Sequence, residues 1–353
     1  MPESSPSLLA DHTTLHLGGP AREWVRATTE AELVEAVSTA DADGTPVLVL
    51  GGGSNLVVAD VGFDGRVVEV ATSGVTPDTD DREGVCGGVM VRVAAGEGWD
   101  DLVATAVERG WVGVEALSGI PGSVGATPIQ NVGAYGQDVS QTIASVRVWD
   151  RSLRGLRTFA AADCGFGYRH SRFKTDPSRH VVLSVDFQFR TGTMGAPIEY
   201  AELARALGVE TSQRAPLGEV RDAVLELRAS KGMVLDAGDH DTWSAGSFFT
   251  NPHLGPDQAA ALPADAPKWP QADGTVKSSA AWLIERAGFV KGYGLDLRGG
   301  RASLSTKHTL ALTNRGEAST EDLLALAREV RDGVEQAFGV RLVNEPVLVG
   351  CNL

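Results

Sequence analysis

The residues of this chain that could do chemistry stand in short glycine-rich strings. Ser247 lies in Gly246-Ser247-Phe248-Phe249-Thr250-Asn251-Pro252. A hydrolase nucleophile would need Gly-x-Ser-x-Gly, and Phe249 stands where the second glycine should be. That leaves a turn serine or a polar group presented to a ligand. A second string runs from Ser118-Gly119-Ile120-Pro121-Gly122-Ser123-Val124-Gly125 through Asn131-Val132-Gly133-Ala134-Tyr135-Gly136. It combines approachable backbone, small hydroxyls and amides with much apolar content, as the floor under a flat heterocycle requires. A buried Ω-type loop fits the pattern equally well. The third string, Gly51-Gly52-Gly53-Ser54-Asn55, follows the apolar run Val47-Leu48-Val49-Leu50. A dinucleotide fingerprint would need glycine at position 56, which is Leu56. What remains is a glycine turn whose N–H groups can face an anion such as a pyrophosphate, with a plain tight turn as the simpler reading.

Composition narrows the classes. The chain has 353 residues with 31 basic and 46 acidic side chains, a net charge of −15. Such a balance repels nucleic acid and anionic membrane surfaces, so neither is expected as a partner. No apolar run approaches the roughly 18 residues a spanning helix needs. The start Met1-Pro2-Glu3-Ser4-Ser5-Pro6 lacks the basic and apolar regions of a signal peptide. Cys86, Cys164 and Cys351 are widely separated and have no metal-ligand spacing, which suits a reducing cytoplasm and no metal site. Lysine is lopsided: the first is Lys174, and Lys231, Lys268, Lys277, Lys291 and Lys307 follow it.

The elements that must carry these strings alternate in type. Thr29-Glu30-Ala31-Glu32 is a capping box before Leu33, Val34 and Val37 at helical spacing. Strands are expected at 47–50, 56–58, 89–95, 143–149 and 181–190, and helices at 99–109, 217–229, 280–287 and 319–338. Gly339 closes the last helix. Residues 75–85 read as an exposed polar connection. The stretch 113–136 resists periodic assignment, and a loop that long in a compact domain is usually functional. The alternation gives an α/β or α+β chain in three parts, 1–78, 79–222 and 223–339, with a last strand at 342–349 that could return to the first part.

Together the strings resemble the UDP-N-acetylenolpyruvoylglucosamine reductase family almost end to end. The resemblance is carried by the glycine turn with Asn55, by Ile120 to Gly125 and on to Gly136, and by Tyr168-Arg169-x-Ser171. It continues through Gly246 to Pro252, Trp282-Leu283-Ile284-Glu285 before Lys291-Gly292, and Asn344-Glu345-Pro346. It implies an α+β fold: a two-part FAD-binding module of the vanillyl-alcohol-oxidase type (1–78 joined by 340–353, then 79–222) and a substrate-binding α+β domain at 223–339. It also implies FAD as cofactor, NADPH as hydride donor and a UDP-sugar as substrate, in a protein expected to be cytoplasmic and, by preference, monomeric.

By the same resemblance, FAD would be held by Gly51, Gly52, Gly53, Ser54, Asn55, Gly119, Ile120, Pro121, Gly122, Ser123, Val124, Gly125, Asn131 and Gly133. Hydride would pass from the flavin N5 to the enolpyruvyl group. Arg169 and a protonated Glu345 would stabilise the developing negative charge, and Ser247 would protonate the carbon. Tyr135, Tyr168, Tyr200, Lys231, Asn251 and His308 match substrate-contact positions. An oxidase or dehydrogenase on the same scaffold is the alternative. The lysines gathered in the last part would offset the unfavourable net field, and backbone N–H groups would meet the FAD pyrophosphate.

Overall fold

The computed structural model describes residues 7–78 and 88–353. Much of the connection expected at 75–85 therefore lies outside the described residues, while Val75–Pro77 form a strand rather than a loop. The chain divides into two compact units. The first gathers the segment ending at Ala21, Gly53–Phe63 and Lys231–Leu353; the second is Arg22–Gly52 with Asp64–Ser230.

In the second unit the capping box at Thr29 and Glu32 forms and starts the helix Glu30–Asp43. The helix buries Leu33 and Val37 in a cluster with Ala27, Val68, Val181 and Leu183. Val47–Leu50 pairs in parallel with Arg66–Glu69 in a three-stranded sheet. The unit's second sheet runs in the order Gly155–Ala160, Ile143–Asp150, His180–Thr191, Gly88–Ala94, Val75–Pro77, antiparallel at every step. Trp99, at the start of the helix Trp99–Glu108, is fully buried and donates its indole N–H to Leu117 O at 3.0 Å.

The stretch 113–136 is largely buried loop with short 3-10 turns at Glu115–Leu117 and Val124–Ala126. Glu115 is fully buried beneath it. Its carboxylate accepts from Gly113 N at 2.7 Å, Gln137 Nε2 at 2.9 Å and Ala196 N at 2.6 Å. A fully buried carboxyl group is tolerated only with such a set of donors, and here they fix the loop.

The first unit is built on the helix Thr320–Phe338, capped by Ser319 and Gly339. Its face of Leu323, Leu326, Ala327, Val330 and Val334 joins Leu15, Val57, Phe248, Phe249, Leu283 and Leu312 in one core. Ser244–Ser247, Ala311–Asn314 and Ala302–Leu304 form an antiparallel sheet beside it. The final strand pairs in parallel with Leu56–Val58, but only over Val347–Val349. It is shorter than the 342–349 read from sequence because Pro346 lacks an N–H and Asn344 Nδ2 folds onto Pro346 O at 2.8 Å. Among the described residues no helix is long and apolar enough to cross a membrane.

Candidate active site

Two of the sequence strings are stitched together in the second unit. Gly167 and His170 exchange backbone hydrogen bonds of 3.0 and 3.2 Å, which places Tyr168 and Arg169 at the tip of a tight turn. Asn131 Nδ2 donates to Gly167 O at 3.1 Å, Arg169 Nη2 to Gly133 O at 2.9 Å, and Ser171 Oγ to Ile129 O at 2.5 Å. Lys174 Nζ holds the Arg169 carbonyl at 3.0 Å. Asn131, Tyr135 and Arg169 have φ of 48°, 49° and 51°, three of the seven non-glycine residues with positive φ among those described. Such a backbone costs a non-glycine residue about 1–2 kcal/mol and persists only where its surroundings impose it.

Tyr135 meets the ring of Tyr200 edge-on, with centroids 5.5 Å apart. Burial, only partly opposed by Arg228, pushes the Tyr135 phenol up to about 12, so it stays a neutral donor at physiological pH. Tyr200 precedes the helix Ala201–Leu207, which packs with Leu217–Ser230 over Ala116 and Ile198.

The glycine turns of this unit lie back to back. A Cβ on Gly52 would stand 2.6 Å from Gly122 Cα, and one on Gly51 would stand 2.4 Å from Ser123 Oγ. At Gly52 a Cβ would meet backbone, and at Gly51 it would need the Ser123 hydroxyl to turn away, so the two turns pack backbone to backbone, and bare glycine turns of this kind fit a pyrophosphate. Several of the turn amides bond within the protein. Gly119 N donates to Asp100 Oδ1 at 2.6 Å, Val124 N to Glu97 O and Gly125 N to Ala95 O, both at 2.8 Å. Burial disfavours the Asp100 carboxylate, but the Arg221 fork and the Gly119 N–H hold its pKa below the usual range. Ile120 and Pro121 complete the turn, half-buried.

The remaining candidates lie in the first unit. Gly53, at φ 59°, has no room for a Cβ, which would stand 1.8 Å from His12 O. Its carbonyl and that of Ser54 both accept from Thr14. Ser247 ends the strand Ser244–Ser247 opposite Ala311, half-buried, with Gly246 at φ 73° before it. The fully buried rings of Phe248 and Phe249 anchor the next residues. Glu345 N donates to Phe248 O at 2.8 Å, and Asn55 Nδ2 reaches Glu345 O at 3.5 Å. Asn55, Ser247 and Glu345 are thus brought together. Asn251 Oδ1 accepts from Ala280 N at 3.0 Å, which caps the helix Ala280–Arg286 and leaves the Asn251 amide group as its donor end.

Lys231 follows the helix Leu217–Ser230, and His308 lies in the turn between Ala302–Leu304 and Ala311–Asn314. The acidic segment 235–242 positions that turn. Asp241 is buried and accepts from Thr306 N at 2.9 Å, from the Thr306 hydroxyl, and from Arg315 at 2.8 Å. Lys307 pairs with Asp239 at 2.5 Å and Lys268 Nζ sits on Leu262 O at 3.1 Å, so these two lysines already hold structural partners. Lys174, Glu115 and Asp241 carry no motif signal in the sequence. The positive φ of Arg169 and Tyr135 has none either, because neither residue type marks a left-handed backbone.

Residues 21–152 match the model of an FAD binding domain. With the glycine cradle in place, the chain is an FAD-dependent oxidoreductase. Residues 238–349 match the C-terminal domain of UDP-N-acetylenolpyruvoylglucosamine reductase. Proteins of that name from Cutibacterium acnes and Streptomyces avermitilis are each 57% identical, across 98% of this chain and 90% and 94% of their own lengths. A crystal structure of the Thermus caldophilus reductase is 27% identical with a TM-score of 0.65, covering 98% of both chains. The chain belongs to the UDP-N-acetylenolpyruvoylglucosamine reductase family, with its α+β fold of FAD-binding module and C-terminal substrate-side domain.

Proposed function

We propose that this enzyme uses NADPH to reduce the enolpyruvyl group of UDP-N-acetylglucosamine enolpyruvate to UDP-N-acetylmuramate, a step of peptidoglycan precursor synthesis in the cytoplasm. FAD, when bound, carries the hydride from NADPH to the substrate. The observation that carries the reading is Arg169, fixed in a left-handed conformation with its carbonyl on Lys174 and its guanidinium on Gly133 O. A fork held so firmly suits a carboxylate whose charge grows during reaction.

Arg169 and a protonated Glu345 stabilise the charge that spreads into the substrate carboxylate. Ser247 gives its proton to the adjacent carbon, which is basic enough to take it from an alcohol. Lys231, Asn251, His308 and Tyr200 hold the diphosphate and sugar, and Tyr135 and Tyr168 line the approach. Gly51 to Asn55, Gly119 to Gly125, Asn131 and Gly133 hold FAD. Since Gly119, Val124 and Gly125 spend their N–H groups internally, the other amides of the turns meet its phosphates. In this reading 1–78, 79–222 and 340–353 serve the cofactor, and 223–339 serves the substrate.

The test is anaerobic. Photoreduced holoprotein mixed with the UDP-enolpyruvyl sugar should regain its oxidised flavin absorbance in one turnover. Reoxidation by oxygen alone would show an oxidase instead, and a colourless protein that takes up no FAD would be no flavoenzyme.

A further inference from the structure

Asp236, Asp239 and Asp241 crowd a stretch of the first unit that packs against the turns of Lys231 and His308, two of the side chains that hold the diphosphate and sugar in the proposed reaction. Bare carboxylates there would repel such a substrate. Two of the three are matched by cations. Lys307 Nζ meets Asp239 Oδ2 at 2.5 Å, and Arg315 Nη1 meets Asp241 Oδ1 at 2.8 Å. Asp236 Oδ1 accepts from Gly238 N at 2.9 Å.

Asp241 is the buried member, its side chain 5% exposed. Besides Arg315, its Oδ1 accepts from Thr306 N at 2.9 Å, and its Oδ2 accepts from the Thr306 hydroxyl. Thr306 stands in the turn where Oγ of the fully buried Ser305 accepts from Lys307 N and His308 N, at 3.0 and 3.2 Å. The backbone of Asp241 meets a second turn. Gly232, next to Lys231, is left-handed at φ 66°, and a Cβ on it would stand 3.0 Å from Asp241 O. One buried acid thus touches the neighbours of both substrate-holding side chains, from its carboxylate on one side and its carbonyl on the other.

We propose that Asp241 is a positioning residue for the UDP-sugar: it sets the separation of the Lys231 turn from the His308 turn. The proposal rests on the reading that Lys231 and His308 hold the substrate. Two groups grip one ligand best when their spacing is fixed in advance, because binding then spends nothing on ordering them.

The test is steady-state kinetics of FAD-loaded enzyme with the UDP-enolpyruvyl sugar varied. Asp241→Ala should raise KM about tenfold or more and leave kcat within about twofold, since ground-state binding is what it loses. Asp241→Asn still accepts from Thr306 N and should fall between this variant and the parent. Thr306→Val keeps the acid and removes one bond, should raise KM about threefold, and decides the matter if Asp241→Ala does not fold. Added to Lys231→Ala, Asp241→Asn should raise KM little further, because both changes act on one contact. If Lys231→Ala raises KM while the Asp241 and Thr306 variants do not, the proposal falls and the substrate reading stands. A fully additive effect overturns it too, as does a fall in kcat at unchanged KM, which would tie Asp241 to the strand ending at Ser247. An unchanged KM in Lys231→Ala overturns the substrate reading itself, and the proposal with it.

Discussion

Glu345 donates its backbone N–H to the carbonyl oxygen of Phe248 at 2.8 Å, so the acid stands one peptide away from Ser247. Asn55 closes the same corner from a third stretch of chain, accepting from Val347 N at 2.9 Å. Buried Phe248 and Phe249 hold the Ser247 side of the bond rigid, and the parallel pairing of Val347–Val349 holds the other. In the proposed reaction this fixed separation preorganises Ser247 and Glu345, and preorganised groups lose nothing to rearrangement.

Replacing Ser247 by alanine should leave flavin reduction by NADPH nearly unchanged and slow product formation by about 10²–10⁴. Stopped-flow absorbance resolves the two half-reactions. Equal slowing of both would mean that Ser247 positions the flavin rather than protonating the substrate.

At Asn131 the side chain and the backbone can be separated. Alanine loses the bonds to Gly167 O and from Ser140 N and keeps the penalty of φ 48°. A loss of about 1–3 kcal/mol is expected, with poorer flavin retention. Glycine loses the same bonds but relaxes the backbone, and should be the milder change by about 1 kcal/mol. Denaturant midpoints and the ratio of flavin to protein absorbance check both.

Gly52→Ala would drive a methyl into Gly122 Cα. Separation of the two glycine turns should lower the FAD content of purified protein sharply. Gly218→Ala is the control: its Cβ meets nothing within 4 Å, inside the helix Leu217–Ser230. There stability should hold or rise by up to about 1 kcal/mol, with flavin content unchanged.

Asp241 makes stability depend on acid. Burial opposes its charge, but Thr306 and Arg315 outweigh burial and hold its pKa below the usual range. A carboxyl lowered in the folded state contributes its full stability above the ordinary carboxylate pKa, and that contribution fades as pH falls through the lowered value. Asp241→Asn should therefore be less stable than the parent at neutral pH, and the gap should close as pH falls below the ordinary carboxylate range. Thermal melts of both proteins across that range measure it. A gap independent of pH would show that shape rather than charge holds the Thr306 turn.

The helices Glu30–Asp43 and Thr320–Phe338 were legible in the sequence because capping boxes, terminal glycines and 3.6-residue periodicity are local. So were the strands Val47–Leu50 and Leu56–Val58, whose apolar runs end at glycine or at polar residues. Gly155–Ala160 was not legible: it is an edge strand in which only Phe159 is buried, so no alternation marks it. That strand carries Arg157 over the Phe159 ring, and the sequence carries no signal for the pair.

The glycine strings and Ser247 stand out along the chain by composition and spacing, which are one-dimensional properties, whereas Arg169 and Glu345 are marked only by the family resemblance. Their arrangement is another matter. Arg169 is left-handed where hydrogen bonds between 129–133 and 167–171 outweigh the intrinsic preference of its own backbone. Likewise Lys307 could be read as available charge until Asp239 was found at 2.5 Å from it. Local preferences of this kind amount to about 1–2 kcal/mol per residue. Several non-local bonds acting together exceed that, and they exist only once the chain has folded.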